Sequence, residues 1–235
     1  MLLLHGFGDT PQTLSYLACG LNAAGYGVHA PLYPGHGTSV AEFFSSTANE
    51  WIASARSALD RMQAGCESVS IVGLSMGAAI GAILAAESAN IDCLVLIAPY
   101  LRIPFWARIA LRARWIWDPF VGEIEARSPR SVQDRSERDK SLGYGVVNGA
   151  TMAELARVVR KARSSLPTVT APTLVIQSRE DPRVAPKMAS KALERIGAKE
   201  KRLVWTKTGG HVLTVDFGRD DVIADTIDWI KRWGG

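Results

Sequence analysis

The chain has 235 residues, 47% of them hydrophobic, and a formal net charge of +4. This length and composition indicate one sizeable domain, with room for an insertion, and exclude a disordered or low-complexity chain. The three cysteines are odd in number and lack the spacing of metal ligands. They predict buried thiols in a reducing compartment, without disulfides or zinc. Residues 71–86 are short for a membrane span, and residues 1–4 (MLLL) are short for a signal peptide, so we expect a cytoplasmic protein.

Strand-like and helical patterns alternate through the first hundred residues. Short apolar runs predict strands at residues 1–4, 27–31, 68–73 and 92–98. Helical patterns fill residues 12–24, 49–65 and 76–87, and residues 34–37 (PGHG) form a tight loop. After residue 166 the alternation resumes, with strands at 173–177 and 202–205 and helices at 186–196 and 220–233.

The fold class follows from this alternation. Strands that are continuous apolar runs, separated by helices, are typical of a parallel sheet covered on both faces. We predict an α/β fold with a mostly parallel central sheet of about six strands, formed by residues 1–99 and 167–235. Residues 100–166 show helical patterning without a convincing strand, so we expect them to lie over one end of the sheet as a helical cap.

The basic residues concentrate in this insertion. Residues 100–166 hold 13 Lys/Arg and 7 Asp/Glu, and their first part interleaves arginines with aromatic residues, from Arg102 to Trp117. We favour a solvated helix face whose apolar side packs inward, because so small an excess of charge is weak for a nucleic-acid footprint. Binding to a membrane surface or to nucleic acid remains the alternative.

Three chemically active side chains follow predicted strands. Ser75 lies on the turn after the third strand, Asp181 lies after the strand at 173–177, and His211 lies after the strand at 202–205. The carboxyl ends of parallel strands meet at one edge of a sheet, so these residues are expected to converge. A serine hydroxyl becomes a nucleophile beside a base, and the base needs an orienting carboxylate.

The surrounding segments resemble the α/β-hydrolase superfamily. GLSMG (residues 73–77) is similar to its nucleophile turn, LLLHGF to the strand before the oxyanion loop, and GGHVLTVD to the histidine loop. SREDPRVAP resembles the acid turn, although Ala185 stands directly after Val184 where the family has proline. GHGTS, GLSMG and GHVLTVD together look most like bacterial carboxylesterases and monoacylglycerol lipases with a small helical cap.

The resemblance implies specific roles. Ser75 would be the nucleophile, His211 the general base and Asp181 its orienting acid, while the backbone N–H groups of Phe7 and Met76 would form the oxyanion hole. It implies a serine carboxylesterase acting on a small-molecule ester, with no metal and no cofactor, no nucleic-acid partner and no stable membrane insertion. Monoacylglycerol lipase, amide, thioester or C–C bond hydrolase and non-catalytic ligand binder stay open as alternatives.

We make further predictions about the substrate pocket and about several residues near the three candidate catalytic residues. We expect Trp106, Val184 and Val212 to contact substrate. The competing acid is Glu180, beside Asp181, and Asp216 is expected to begin or cap the last helix. The other three histidines are predicted to be structural: His5, His29 and His36.

The sequence begins inside the first predicted strand, whereas relatives have one or two strands before it. We therefore expect a short sheet in which residues 27–31 form an edge strand. Exposed edges favour pairing with another chain, so we predict that this edge is protected in some way. A homodimer through the sheet edge or the cap is one arrangement that would do so.

Overall fold

In a computed structural model, which describes residues 1–126, 128 and 130–234, a parallel five-stranded sheet lies between two layers of helices. The strands in chain order are β1 (Leu2–Leu4), β2 (Ile71–Leu74), β3 (Leu94–Ile97), β4 (Ile124–Glu125), β5 (Val146–Val147), β6 (Thr173–Ser178) and β7 (Lys201–Thr206). The helices are α1 (Ser15–Ala23), α2 (Val40–Ser45), α3 (Ala48–Gly65), α4 (Met76–Glu87), α5 (Phe105–Arg112), α6 (Arg114–Val121), α7 (Arg135–Asp139), α8 (Gly149–Ser165), α9 (Pro186–Arg195) and α10 (Arg219–Trp233). Two 3₁₀ turns, Pro11–Leu14 and Leu166–Thr168, precede α1 and follow α8.

The large sheet has the strand order β1-β2-β3-β6-β7, and every pairing in it is parallel. This arrangement confirms the predicted fold class. The predicted sixth strand is wrong as a strand, because residues 27–31 form only an isolated parallel bridge between His29 and Leu2. Pro31 has no N–H to donate to a ladder and Gly27 weakens an extended segment, which explains why pairing stops at one residue. The bridge lies beside β1, at the expected edge, and protection of that edge stays a prediction.

The two faces of the sheet build two hydrophobic clusters. Leu2 and Leu4 of β1 belong to one cluster with side chains of α3, α4 and α8, whereas Leu3 belongs to the other with α1 and α10. Successive side chains of a strand point to opposite faces, so helices must cover both sides. The carboxyl ends of the strands remain free to carry loops.

The segment between β3 and β6 differs from its prediction in two ways. It contains the small antiparallel pair β4–β5, where no strand was expected. Its last helix, α8, buries Leu155, Val158 and Ala162 in the same cluster as α4, so the predicted cap ends inside the core layer. Helical periodicity alone cannot separate a cap helix from a core helix, since both need one apolar stripe. Arg127 and Pro129 of the predicted cap and Gly235 of the predicted core lie outside the described residues.

Two surface predictions are also wrong. Three of the four aromatic residues between Arg102 and Trp117 do not pack inward, because Phe105, Trp106 and Trp115 are 70%, 72% and 76% exposed. The fourth, Trp117, is half-buried and donates from Nε1 to Ala110 O at 2.8 Å. Cys93 is buried as predicted, but Cys19 and Cys66 are exposed. Among the described residues, no helix combines the length and the apolar character needed to cross a membrane.

Candidate active site

Ser75 lies on a sharp turn between β2 and α4. Its φ of 56° and ψ of −112° are rare for a residue with a side chain. The turn is fixed by backbone hydrogen bonds, since Ser75 N donates to Ile97 O at 2.9 Å and Tyr100 N donates to Ser75 O at 3.2 Å. The serine is therefore held at the carboxyl edge of the sheet in a strained conformation.

The glycines on either side of Ser75 let the backbone pass closely. A Cβ on Gly73 would lie 2.4 Å from Gly77 O, and a Cβ on Gly77 would lie 2.0 Å from Leu4 O. Both distances are shorter than van der Waals contact. The two glycines of GLSMG thus meet the steric needs of this turn.

His211 lies within hydrogen-bond distance of both Ser75 and Asp181. His211 Nε2 lies 2.8 Å from Ser75 Oγ, and His211 Nδ1 lies 2.8 Å from Asp181 Oδ2. With Nδ1 donating to the carboxylate, Nε2 is free to accept the serine proton. This geometry allows nucleophilic attack assisted by a general base.

The carboxylate of Asp181 is held by four donors. Oδ1 accepts from the N–H groups of Arg183 at 2.7 Å and Val184 at 2.9 Å, and Oδ2 accepts from Gln177 Nε2 and from His211. Burial raises the pKa of Asp181, but these hydrogen bonds, led by the one from His211, outweigh burial and lower the pKa below its ordinary value. These hydrogen bonds therefore favour the ionised form of Asp181.

The competing acid, Glu180, does not reach the histidine. Its side chain is exposed and accepts a hydrogen bond from Gln133 Nε2 at 2.8 Å. The two neighbouring acids therefore point to different partners. Only Asp181 has the geometry to orient His211.

The loop that carries His211 is tied to the segment before α7. Ser131 O accepts from the N–H groups of His211 and Val212, at 2.8 and 3.0 Å. Asp216 is fully buried and accepts from the N–H groups of Gly210 at 2.7 Å and of residues 133, 134 and 217 at 2.8 Å each. Asp216 was expected to cap the last helix, which is wrong, because the N-cap of α10 is Gly218 and the Asp216 carboxylate holds the histidine loop instead.

The candidate oxyanion donors belong to two segments that run close to the serine. Met76 is the first residue of α4, and Phe7 follows β1 in the loop that passes Ser75. A Cβ on Gly6 of this loop would lie 3.7 Å from Ser75 Cβ, so the loop backbone runs close to the serine. A helix N-terminus and a neighbouring backbone N–H are suited to stabilise a developing negative charge.

Two of the three other histidines have buried structural positions. His5 Nε2 accepts from Tyr33 N at 3.3 Å and its Nδ1 donates to Gly6 O at 2.9 Å, while His36 Nδ1 donates to Pro34 O at 3.1 Å. Burial lowers the pKa of His5 to about 3 and that of His36 to about 4, so both rings are neutral at pH 7. The third, His29, is exposed and contributes backbone pairing beside β1.

A cavity of about 720 Å³ opens at Ser75. Its apolar lining includes Phe7, Leu74, Tyr100, Val146, Val147, Met152, Leu155 and Val212. Of the predicted substrate contacts, Val212 lines this cavity. Val184 and Trp106 are not among its lining residues, since Val184 lines a second, smaller pocket and Trp106 points to solvent. The volume lies in the range of ligand-sized pockets.

Asp9 is a charged residue of this cavity that the sequence analysis missed. It lies two residues after Phe7, and its Oδ1 is 2.5 Å from the position that a Cβ on Gly143 would take. Desolvation raises the pKa of Asp9 to about 6, although His211 and Arg183 lower it. Its sequence signal is its position in the loop after β1, because part of its burial comes from Gly143, more than a hundred positions away.

Comparison with known proteins finds a matching family and related hydrolases. Residues 1–217 match the Hydrolase_4 family, described as serine aminopeptidase, S33. The chain is 28% identical to the thermostable monoacylglycerol lipase of Bacillus sp. (strain H-257), over 100% of this chain and 91% of that protein. It is 24% identical to the carboxylesterase of Bacillus subtilis (strain 168), over 99% of this chain and 92% of that protein. A solved chain reported for the metagenome-derived lipolytic enzymes LipS and LipT superposes with a TM-score of 0.89 at 30% identity, covering 98% of this chain and 92% of that one.

Proposed function

The chain belongs to the Hydrolase_4 family, and we propose that it hydrolyses carboxylic esters through a covalent acyl-enzyme on Ser75. The observation that carries this proposal is the continuous hydrogen-bonded line from Ser75 Oγ through His211 to Asp181. The ester hydrolases among its relatives support the same reaction class.

The reaction proceeds in two steps. Ser75 Oγ attacks the ester carbonyl while His211 Nε2 takes its proton, and the resulting oxyanion is held by the N–H groups of Phe7 and Met76. His211 then donates the proton to the leaving alcohol, which leaves an acyl group on Ser75. In the second step, His211 takes a proton from water and the hydroxide attacks the acyl group. His211 then gives this proton to Ser75 Oγ as the acyl–oxygen bond breaks, and the carboxylic acid leaves with Ser75 and His211 restored. Asp181 stays ionised throughout, as its lowered pKa favours.

The acyl group is proposed to lie in the cavity beside Ser75. That cavity is bounded by residues of the core layer, such as Leu74 and Met152 of α8, and by residues of the segment 100–166 that precede α8, such as Val147. We propose that this segment acts as the cap that sets the acyl preference. A short-to-medium acyl chain suits the mixed apolar and polar lining.

The odd number of cysteines without metal-like spacing supports a cytoplasmic location.

The decisive experiment compares hydrolysis of p-nitrophenyl esters from C2 to C16 by the wild type and by Ser75→Ala. We expect a chain-length optimum in the wild type and a loss of at least about 10⁴-fold in kcat for the variant. Ser141→Ala is the matched control, because Ser141 also lines the cavity but lies in the segment before β5. Activity that is indifferent to Ser75, or absent at every length, contradicts the proposal.

Monoacylglycerol hydrolysis is the second candidate, and the relative from Bacillus sp. (strain H-257) favours it. The same ester series separates the two, since an optimum at C10 or longer together with glycerol release from monoacylglycerols supports the lipase. An optimum at C4 to C8 supports the carboxylesterase. An aminoacyl p-nitroanilide tested in parallel measures amide hydrolysis by the same triad.

A further inference from the structure

The first two helices of the segment 100–166, which follow each other directly in the chain, expose seven large apolar side chains. We call this set the cap patch: Phe105, Trp106, Ile109, Trp115, Ile116, Phe120 and Val121. Trp115 is 76% exposed and Phe120 is 88% exposed, and α5 buries none of its residues. Scattered single hydrophobic residues are normal on a surface, but seven on two adjoining helices indicate an interaction site.

Arginines border the patch. Arg108 and Arg112 are exposed and follow Phe105 and Ile109 by three residues, which places each beside a patch residue on the helix surface. Residues 102–121 hold four arginines and a single aspartate. That aspartate, Asp118, lies 3.5 Å from the guanidinium of Arg114, so its charge is already paired.

The positive field extends to α8 behind the patch. Partial burial lowers the pKa of Arg163, and the positive charges of Arg195, Arg102 and Arg108 lower it further. Arg163 thus lies within the positive field of these three arginines. The region therefore suits a partner that is itself negatively charged.

Three kinds of binding partner fit an apolar patch with a basic border, and they differ in which side chains of the patch they can bind. A second copy of the chain, related by a twofold axis, would bring the same arginines together across the interface. Nucleic acid would use the arginines and the aromatic faces, but it offers nothing to bury aliphatic side chains such as Ile109, Ile116 and Val121. A phospholipid surface accepts tryptophan at the headgroup level, aliphatic side chains in the acyl region and arginine at the phosphates.

We propose that the cap patch docks reversibly on an anionic phospholipid surface, with Arg108 and Arg112 at the headgroups. The docking is peripheral, since α5 and α6 span eight residues each. It does not depend on the proposed esterase activity, and it lies outside the cavity at Ser75. Binding is expected to rise with the fraction of anionic lipid and to fall as salt is added.

Vesicle sedimentation tests this proposal with the Ser75→Ala protein, which removes any hydrolysis of lipid. The probes are phosphatidylcholine vesicles with and without 30% phosphatidylglycerol, a composition of roughly physiological anionic charge. We expect the Ser75→Ala protein to be retained on the anionic vesicles. Adding Trp106→Ser and Trp115→Ser should lower its partitioning at least about tenfold. Adding Arg108→Glu and Arg112→Glu should lower its partitioning at least about 25-fold. The second figure follows from about fivefold per arginine near an anionic surface.

Two control variants match these changes away from the patch. Leu32→Ser removes an exposed apolar side chain that is 44% accessible, and Lys199→Glu reverses an exposed charge. Both are expected to bind vesicles like the parent protein. Quenching of tryptophan fluorescence by brominated lipid gives a second readout that needs no variant.

Specific results would overturn the proposal. The proposal is wrong if the protein shows neither vesicle retention nor fluorescence quenching at low salt. It is also wrong if the patch variants and the control variants bind vesicles equally well. A concentration-dependent dimer that Trp106→Ser abolishes, without vesicle binding, identifies a second copy as the occupant. Retention on DNA but not on vesicles identifies nucleic acid. Because binding is measured on Ser75→Ala, failure of the esterase proposal leaves these outcomes unchanged.

Discussion

Replacing Asp9 by asparagine is expected to make the protein more stable at pH 8 but not at pH 4. Asp9 lines the cavity, and desolvation raises its pKa to about 6 from an ordinary value of 3.8. An acid with a raised pKa is disfavoured as a carboxylate in the folded state. The wild type therefore loses stability relative to the variant as pH rises from about 4 through 6, and the loss is complete above that range.

The magnitude follows from the shift. About two pKa units correspond to about 3 kcal/mol, and access of solvent to the half-buried side chain reduces this to about 1–3 kcal/mol. Denaturant unfolding of wild type and Asp9→Asn at pH 4, 5, 6, 7 and 8 gives the difference in free energy at each pH. Groups common to both proteins cancel in that difference.

Asp60→Asn is the control, because Asp60 is exposed on α3 and its replacement removes the same charge from the surface. Its stability difference is expected to stay within about 0.5 kcal/mol over the whole range. A difference for Asp9→Asn that does not change with pH would refute the reasoning. So would a variant that is less stable than the wild type at pH 8.

Three other substitutions test the supports of the site. Asp216→Ala leaves four N–H groups without their acceptor. We expect chemical denaturation to show a free energy of unfolding lower by about 3–5 kcal/mol, and ester kinetics to show a lower kcat. Gly77→Ala forces a Cβ against a backbone carbonyl and should cost more than about 3 kcal/mol, seen as loss of soluble protein. Gly65→Ala, at the last residue of α3 with no atom near the new Cβ, should instead raise stability by about 0.5–1 kcal/mol in thermal unfolding.

The arrangement of Ser75, Asp181 and His211 could be predicted because each follows a strand of one parallel sheet. The chain order of strands and helices fixes the edge at which their loops emerge, and this holds without knowledge of the cap. The glycines beside Ser75 were predictable for the same reason, since their packing partners are the adjoining strand and helix. The sequence therefore predicts the positions of residues whose neighbours belong to the sheet and its adjoining helices.

The positions of Asp9, Asp216 and Trp106 could not be predicted in this way. Asp9 becomes desolvated where the loop near Gly143 folds over it, and Asp216 receives two of its donors from residues 133 and 134. Such contacts join segments about 80 to 130 residues apart, and no local pattern records them. For Trp106, helical periodicity indicates an apolar face but does not say whether another element covers it.

These long-range contacts give the segment before α7 a part in orienting the proposed catalytic groups. Ser131 O holds the histidine loop, and Ser131 Oγ accepts from Arg183 Nε at 3.0 Å, directly after the acid turn. Asp216 joins the same histidine loop to residues 133 and 134. The base and its acid are therefore positioned from two sides, by the sheet beneath and by the insertion above. An exchange of this insertion for that of a relative would alter kcat together with acyl preference, because the segment that bounds the substrate cavity also fixes the loops of His211 and Asp181.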